Sequence, residues 1–138
     1  MANAAAKLFQ AYMESREMKC QTLDEEGSVL RAGWKLDNTH MDILFFFDED
    51  CKYVQLRGVK FLQVPDNKLE AMFKAVNECN HHYRFVKFVV DTDDKQVICK
   101  ADAVIQLDSC ADETFELMIR MTQIVDDAYP TLMKALWA

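Results

Sequence analysis

Carboxylates crowd two short stretches, Asp48-Glu49-Asp50 and Asp91-Thr92-Asp93-Asp94, which are the first places to look for a metal. Calcium takes oxygen ligands from alternating loop positions, a glycine at the sharp bend and a distant bidentate glutamate. Neither stretch has the glycine, and each leads directly into a strand-like run, so both read as polar hairpin turns. Cys79, His81 and His82 offer soft and imidazole ligands, but a structural zinc site needs four ligands at recognisable spacing and no second pair is visible. Histidine also suits the negative end of a helix, which is the plain reading of this cluster. His40 and Asp42 share one face of a strand and could form an acid–base pair. Cys99 beside Lys100 could be an activated thiol, although a small buried core residue fits the strand better. Asp126-Asp127 falls on a helix and is expected to face water. No G-x-S-x-G, H-E-x-x-H or glycine-rich phosphate loop occurs. No catalytic, metal or cofactor-binding residue is therefore assigned, no cofactor is expected, and an enzyme is not expected.

These residues sit on elements that occur in a repeated order. Ile43 to Phe47 forms a strand-like run that meets the first acidic turn. A second strand-like run follows, and Pro65-Asp66 opens a helical stretch. Phe85 to Val90 then meets the second acidic turn, another strand-like run and another helical stretch. The pattern is ββα twice.

A helix is expected over Asn3 to Lys19, with Asn3 as its N-cap, and Gln21 to Gly27 reads as a loop. Ser28 to Leu36 alternates with Leu30, Ala32, Trp34 and Leu36 on one face, as a half-buried strand does. Met41 to Phe47 carries Ile43, Phe45 and Phe47 on one face and Leu44 and Phe46 on the other. This marks a central strand, or one whose second face is covered by a partner. Lys52 to Val64 reads as a long strand bent at Gly58. Asp66 is expected to cap a helix reaching Asn80, with Leu69, Met72, Phe73 and Val76 as its buried stripe. A second hairpin covers Arg84 to Asp91 and Gln96 to Leu107. A last helix starts near Ala111, capped by Asp108 or Ser109, and Pro130 is expected to kink or break it. That break would leave Thr131 to Trp137 as a short segment with Leu132, Met133 and Leu136 free to pack.

The expected fold class is α+β: a twisted antiparallel sheet of five strands with flanking helices, in the order α-βββ-α-ββ-α, over a single domain spanning residues 1–138. Short connections between paired strands make antiparallel pairing the economical choice. Half of the chain is apolar and the formal net charge is −7. An acidic chain with scattered lysines and arginines does not gather phosphate backbones or anionic membranes, so neither nucleic acid nor membrane is an expected partner. The five cysteines are odd in number, widely spaced and without a CxxC. They are expected to be reduced thiols in a cytoplasmic protein. No basic segment followed by an apolar run opens the chain, so no signal peptide is expected. The methionines of the helices, Met72, Met118, Met121 and Met133, follow the helical period and read as core.

Three stretches, V-P-D-N-K-L-E at Val64 to Glu70, V-N-E-C-N-H-H-Y-R-F-V-K-F-V-V-D-T-D at Val76 to Asp93 and D-D-A-Y-P-T-L at Asp126 to Leu132, resemble the bacterial YbjN-like family. That family is labelled "putative sensory transduction regulator". The likeness runs from about Leu8 to Trp137, and its motifs are structural: a cap, a hairpin and a Tyr-Pro in the last helix. The resemblance implies a fold similar to that of type III secretion chaperones. Those chaperones are small, acidic, cytosolic and dimeric, and hold an extended client segment on apolar surface. No functional residues carry over.

The expected function is a non-enzymatic protein–protein interaction or regulatory module, with chaperone-like holding of a partner segment as its concrete form. The alternative is a small-molecule sensor whose apolar pocket is lined around Trp34, Phe46 and Phe88. A homodimer is expected, joined through Leu44 and Phe46 on the second face of the central strand or through Met133, Leu136 and Trp137 of the tail.

Overall fold

The structure is a computed structural model that describes residues 3–137; Met1, Ala2 and Ala138 lie outside the described residues. Its elements run α1 (Ala4–Ser15), β1 (Gln21–Thr22), β2 (Val29–Lys35), β3 (His40–Phe47), β4 (Tyr53–Val59), a 3₁₀ turn (Asp66–Lys68), α2 (Leu69–His82), β5 (Lys87–Asp91), β6 (Gln96–Val104) and α3 (Cys110–Trp137). The strands form one antiparallel sheet in the order β1-β2-β3-β4-β6-β5. The α+β class and its order hold, with one correction: the sheet has six strands, because Gln21–Thr22 pairs with Arg31 and Leu30. Two exposed polar residues carry no period that would show in a sequence.

Strict alternation splits each strand between two faces. Leu30 and Ala32 of β2, Met41, Ile43, Phe45 and Phe47 of β3, and Val54 and Leu56 of β4 are buried. So are Phe88 and Val90 of β5 and Val97, Cys99 and Ala101 of β6. All of these belong to one core cluster with Phe9 and Met13 of α1, Met72, Val76 and Cys79 of α2, and Met118, Met121, Val125 and Leu132 of α3. The helices therefore lie together on a single side of the sheet. Phe9 stacks 4.7 Å from Phe45 and 6.1 Å from Phe47, which pins α1 beneath the central strand.

Caps and turns show where local chemistry prevails. Asn3 is the N-cap of α1: its Oδ1 accepts from the Ala6 amide at 3.0 Å, while its Nδ2 donates to the Asp48 carbonyl at 2.8 Å. That helix stops at Ser15, four residues earlier than expected, and Glu17 enters the left-handed region at φ 60°. Asp66 does not cap α2; it lies in the 3₁₀ turn and its carboxylate meets the Lys95 ammonium at 2.6 Å. The chain after β4 turns at Lys60, φ 63°, rather than at Gly58. Gly58 is instead a packing residue, since a Cβ there would collide with the Met41 sulfur.

Pro130 neither breaks nor ends α3, which runs unbroken from Cys110 to Trp137. Pro130 lies on the exposed side, while Leu132 is fully buried and Ala135 is buried beside it. The packing of α3 against α1 and α2 outweighs the lost hydrogen bond, about 3 kcal/mol in an isolated helix. The residues after Pro130 therefore belong to the core and are not a free tail. Phe73, expected in the buried stripe of α2, is 45 % exposed; Ala75 and Cys79 complete the buried side instead.

Candidate functional site

The side of the sheet turned away from the helices carries the remaining strand residues and has no helix over it, although Ile98 of β6 is buried there. Pairing register sets out its rows. Tyr53 lies opposite Val104; Val29, Phe46, Gln55 and Asp102 form the next row; Arg31, Leu44, Arg57, Lys100 and Lys87 form the third. Gly33, Asp42 and Val59 follow. Leu44 and Phe46 are half-buried by their neighbours, whereas Tyr53 is 56 % and Val104 is 66 % exposed. An apolar band of large side chains thus crosses a face that no helix covers.

Polar groups on this face are ordered. The Arg31 guanidinium meets Asp42 at 3.2 Å, and Lys60 approaches the same carboxylate at 3.7 Å. The Gln55 amide donates to Asp102 at 2.9 Å and its oxygen accepts from Arg57 Nε at 2.7 Å. That contact holds the Arg57 guanidinium 4.9 Å above the Phe46 ring, a cation–π arrangement. The surface is preorganised rather than loose.

The other residues with chemical promise take structural roles. Asp48 Oδ1 accepts from the amides of Lys52 and Tyr53, each at 2.7 Å, and Asp91 Oδ1 accepts from those of Asp93 and Asp94. Both acidic stretches are turns that satisfy their own backbone. Cys79 is buried while His81 and His82 are exposed, and no group of three or more His, Cys, Asp or Glu among the described residues could hold a metal ion. Asp42 serves Arg31 and Lys60 and makes no bond to His40. Cys99 is in the core, where burial and then the neighbouring Cys79 push its thiol far above the usual value, so it is not an activated nucleophile.

Asp126 and Asp127 do more than face water. Asp126 Oδ1 accepts from the Asp37 amide at 2.9 Å, and Asp127 accepts from the Tyr83 hydroxyl. They tie α3 to the β2–β3 turn and to the end of α2. Burial, followed by the bond to Asp127, raises the Tyr83 pKa.

Trp34, Phe46 and Phe88 do not converge. Phe46 lies on the open face, Phe88 is buried in the core, and Trp34 lines a cleft of about 540 Å³ with Met13, Met18, Cys20 and Arg31. The proposed interaction residues also separate. Leu44 and Phe46 share the open face, whereas Met133 and Leu136 are half-buried against the core and Trp137 is 79 % exposed at the end of α3. Tyr53 and Val104 were missing from the sequence reading; the alternation that places Phe46 would also have placed them.

The chain matches the YbjN family, described as "putative bacterial sensory transduction regulator", over residues 6–133, and belongs to that family. No curated protein sequence matches it. Among solved structures, the chain is similar to YbjN of E. coli, described as "a putative transcription regulator". Its TM-score is 0.62 at 11 % identity, over 90 % of each chain. It is also similar to a chain of the ExsC–ExsE complex, with TM-score 0.56 at 17 % identity over 92 % of this chain and 96 % of that one. A chain of the HopA1–SchA chaperone–effector complex gives 0.50 at 14 % identity over 87 % and 91 %. These likenesses establish the fold. No helix among the described residues is long and apolar enough to cross a membrane.

Proposed function

We propose that this protein is a non-enzymatic interaction or regulatory module, a single domain over residues 1–138, that holds a segment of a protein partner on the open face of its sheet. One observation carries the reading: all three helices lie on the same side, leaving Leu44, Phe46, Tyr53 and Val104 on a face that no helix among the described residues covers. Large exposed apolar patches on soluble proteins mark interaction sites. The likeness to chains solved in the ExsC–ExsE and HopA1–SchA complexes supports chaperone-like holding as the form this takes. The setting we infer is cytoplasmic, in keeping with five unpaired cysteines, three of them buried. We also infer a homodimer, and place its interface away from the open face, at the end of α3.

The test is co-purification from the native host with two tagged forms, unmodified and Phe46→Asp. A protein partner should remain bound to the first, be lost from the second, and rebind the first when both are purified. A partner retained equally by Phe46→Asp, with melting curves showing both forms folded, would move the site elsewhere.

A further inference from the structure

The cations of the open face stand in line. Arg57, Lys100 and Lys87 occupy directly opposed positions on β4, β6 and β5, with Arg31 two strands beyond Arg57 in the same row and Leu44 between them. Neighbouring strands lie about 4.8 Å apart, so three like charges fall within about 10 Å. Like charges directly opposed weaken a sheet. The carboxylates of this face are engaged elsewhere: Asp42 with Arg31 and Lys60, Asp102 with Gln55, Asp91 with its own turn. Among the described residues, Lys87 and Lys100 have no ion pair. On a chain of net charge −7, the strands' outward positions hold five cations, Arg31, Lys35, Arg57, Lys87 and Lys100, against those three carboxylates. Negative charge is thus concentrated on the helices and turns, and the open face is locally positive.

We infer that the partner segment taken by this face is acidic. Carboxylates meet Arg57, Lys100 and Lys87, while large apolar side chains of the same segment cover Leu44, Phe46 and Tyr53. The inference rests on the docking reading above and specifies the chemistry of its occupant. A carboxylate laid on the row relieves a repulsion the fold already carries, and electrostatic complementarity of this kind selects partners more than it adds affinity. A second copy would set its own cationic row against this one. Nucleic acid would meet few cations, an apolar band and a strongly negative molecule beyond it.

A random peptide library displayed on phage, selected on the immobilised full chain, tests this. The unmodified protein should enrich peptides that alternate Asp or Glu with large apolar residues. Phe46→Asp, or Phe46→Ser should that form fold poorly, should lose them. The double variant Lys87→Glu, Lys100→Glu should bind the selected peptides at least about tenfold more weakly, and Lys87→Gln, Lys100→Gln should fall between. Raised salt should weaken binding to the unmodified protein. Neutral or basic peptides that still depend on Phe46 would overturn the acidic chemistry while leaving the docking face standing. Peptides indifferent to Phe46, or none selected at all, would overturn the docking reading itself. A single-stranded oligonucleotide bound in preference to acidic peptides, and released by the double reversal, would also overturn the inference.

Discussion

Burial holds the thiols of Cys20, Cys79, Cys99 and Cys110 in the protonated form. Cys20 is half-buried, and desolvation followed by the Glu14 carboxylate pushes it up to about 11. Cys79 and Cys110 are raised by burial as well, with Glu78 and Cys51 as their second causes. A raised pKa means that the unfolded thiol ionises first. The stabilisation is complete below the ordinary value of 9.0 and is lost as pH rises toward about 11 for Cys20. We expect iodoacetamide to label Cys20 slowly at neutral pH, with a rate that keeps rising up to about pH 11, the protein remaining folded by circular dichroism. A rate that levels near pH 9 would show that Cys20 is not shielded. The sequence favoured a buried core Cys99 over an activated thiol beside Lys100, and the structure agrees: adjacent strand residues point to opposite faces, so Lys100 lies outside and Cys99 inside. The roles of Asp126 and Asp127 were illegible. Their partners, Asp37 and Tyr83, come from elements distant in sequence, and no local pattern encodes that meeting.

Among elements, two glycines of the sheet separate backbone cost from packing need. Gly33 is exposed on β2 and a Cβ there meets nothing within 4 Å, so the glycine only adds unfolded-state freedom. Gly33→Thr should raise unfolding free energy by about 0.5–1 kcal/mol. Gly58 is buried on β4 beneath Met41 and Met121, and Gly58→Ala should lower it by about 1–3 kcal/mol by overpacking. Urea titration of both variants checks the pair; equal effects would mean that Met41 swings aside freely. The long, strongly periodic elements were legible: β2, β3, α2 and the second hairpin fall within a few residues of their expected bounds. What escaped was set by tertiary contact. β1 forms only because the chain after α1 returns alongside Arg31, and α3 passes through Pro130 only because the turns on either side are buried against α1 and α2. The expected Gly58 bend fails because glycine on a strand signals close approach as readily as curvature.

At the scale of the molecule, the open face and the end of α3 are two distinct apolar surfaces, and charge separates their uses. We propose that the second joins two copies. Tyr83 bonds Asp127, and Cys79 and Thr131 line one groove a turn further along, so α2 and α3 run antiparallel. The C-terminal end of α3 therefore runs toward the N-terminal half of α2, which carries Phe73. Phe73 is 45 % exposed and Trp137 79 % exposed, while Leu136 and Met133 are half-buried against the core. Phe73 is exposed because it flanks the buried stripe of α2, which runs through Met72, Ala75, Val76 and Cys79. A stable interface needs about 800 Å² from each partner, so the flanking surface of both helices must contribute around these anchors. Light scattering at micromolar concentration should report a dimer. Trp137→Glu and Phe73→Glu should each give a monomer that keeps its melting transition, whereas Phe46→Asp should leave the dimer mass unchanged. A dimer that survives the two glutamate variants but dissociates with Phe46→Asp would assign self-association to the open face, and a monomer for the unmodified chain would refute the pairing outright.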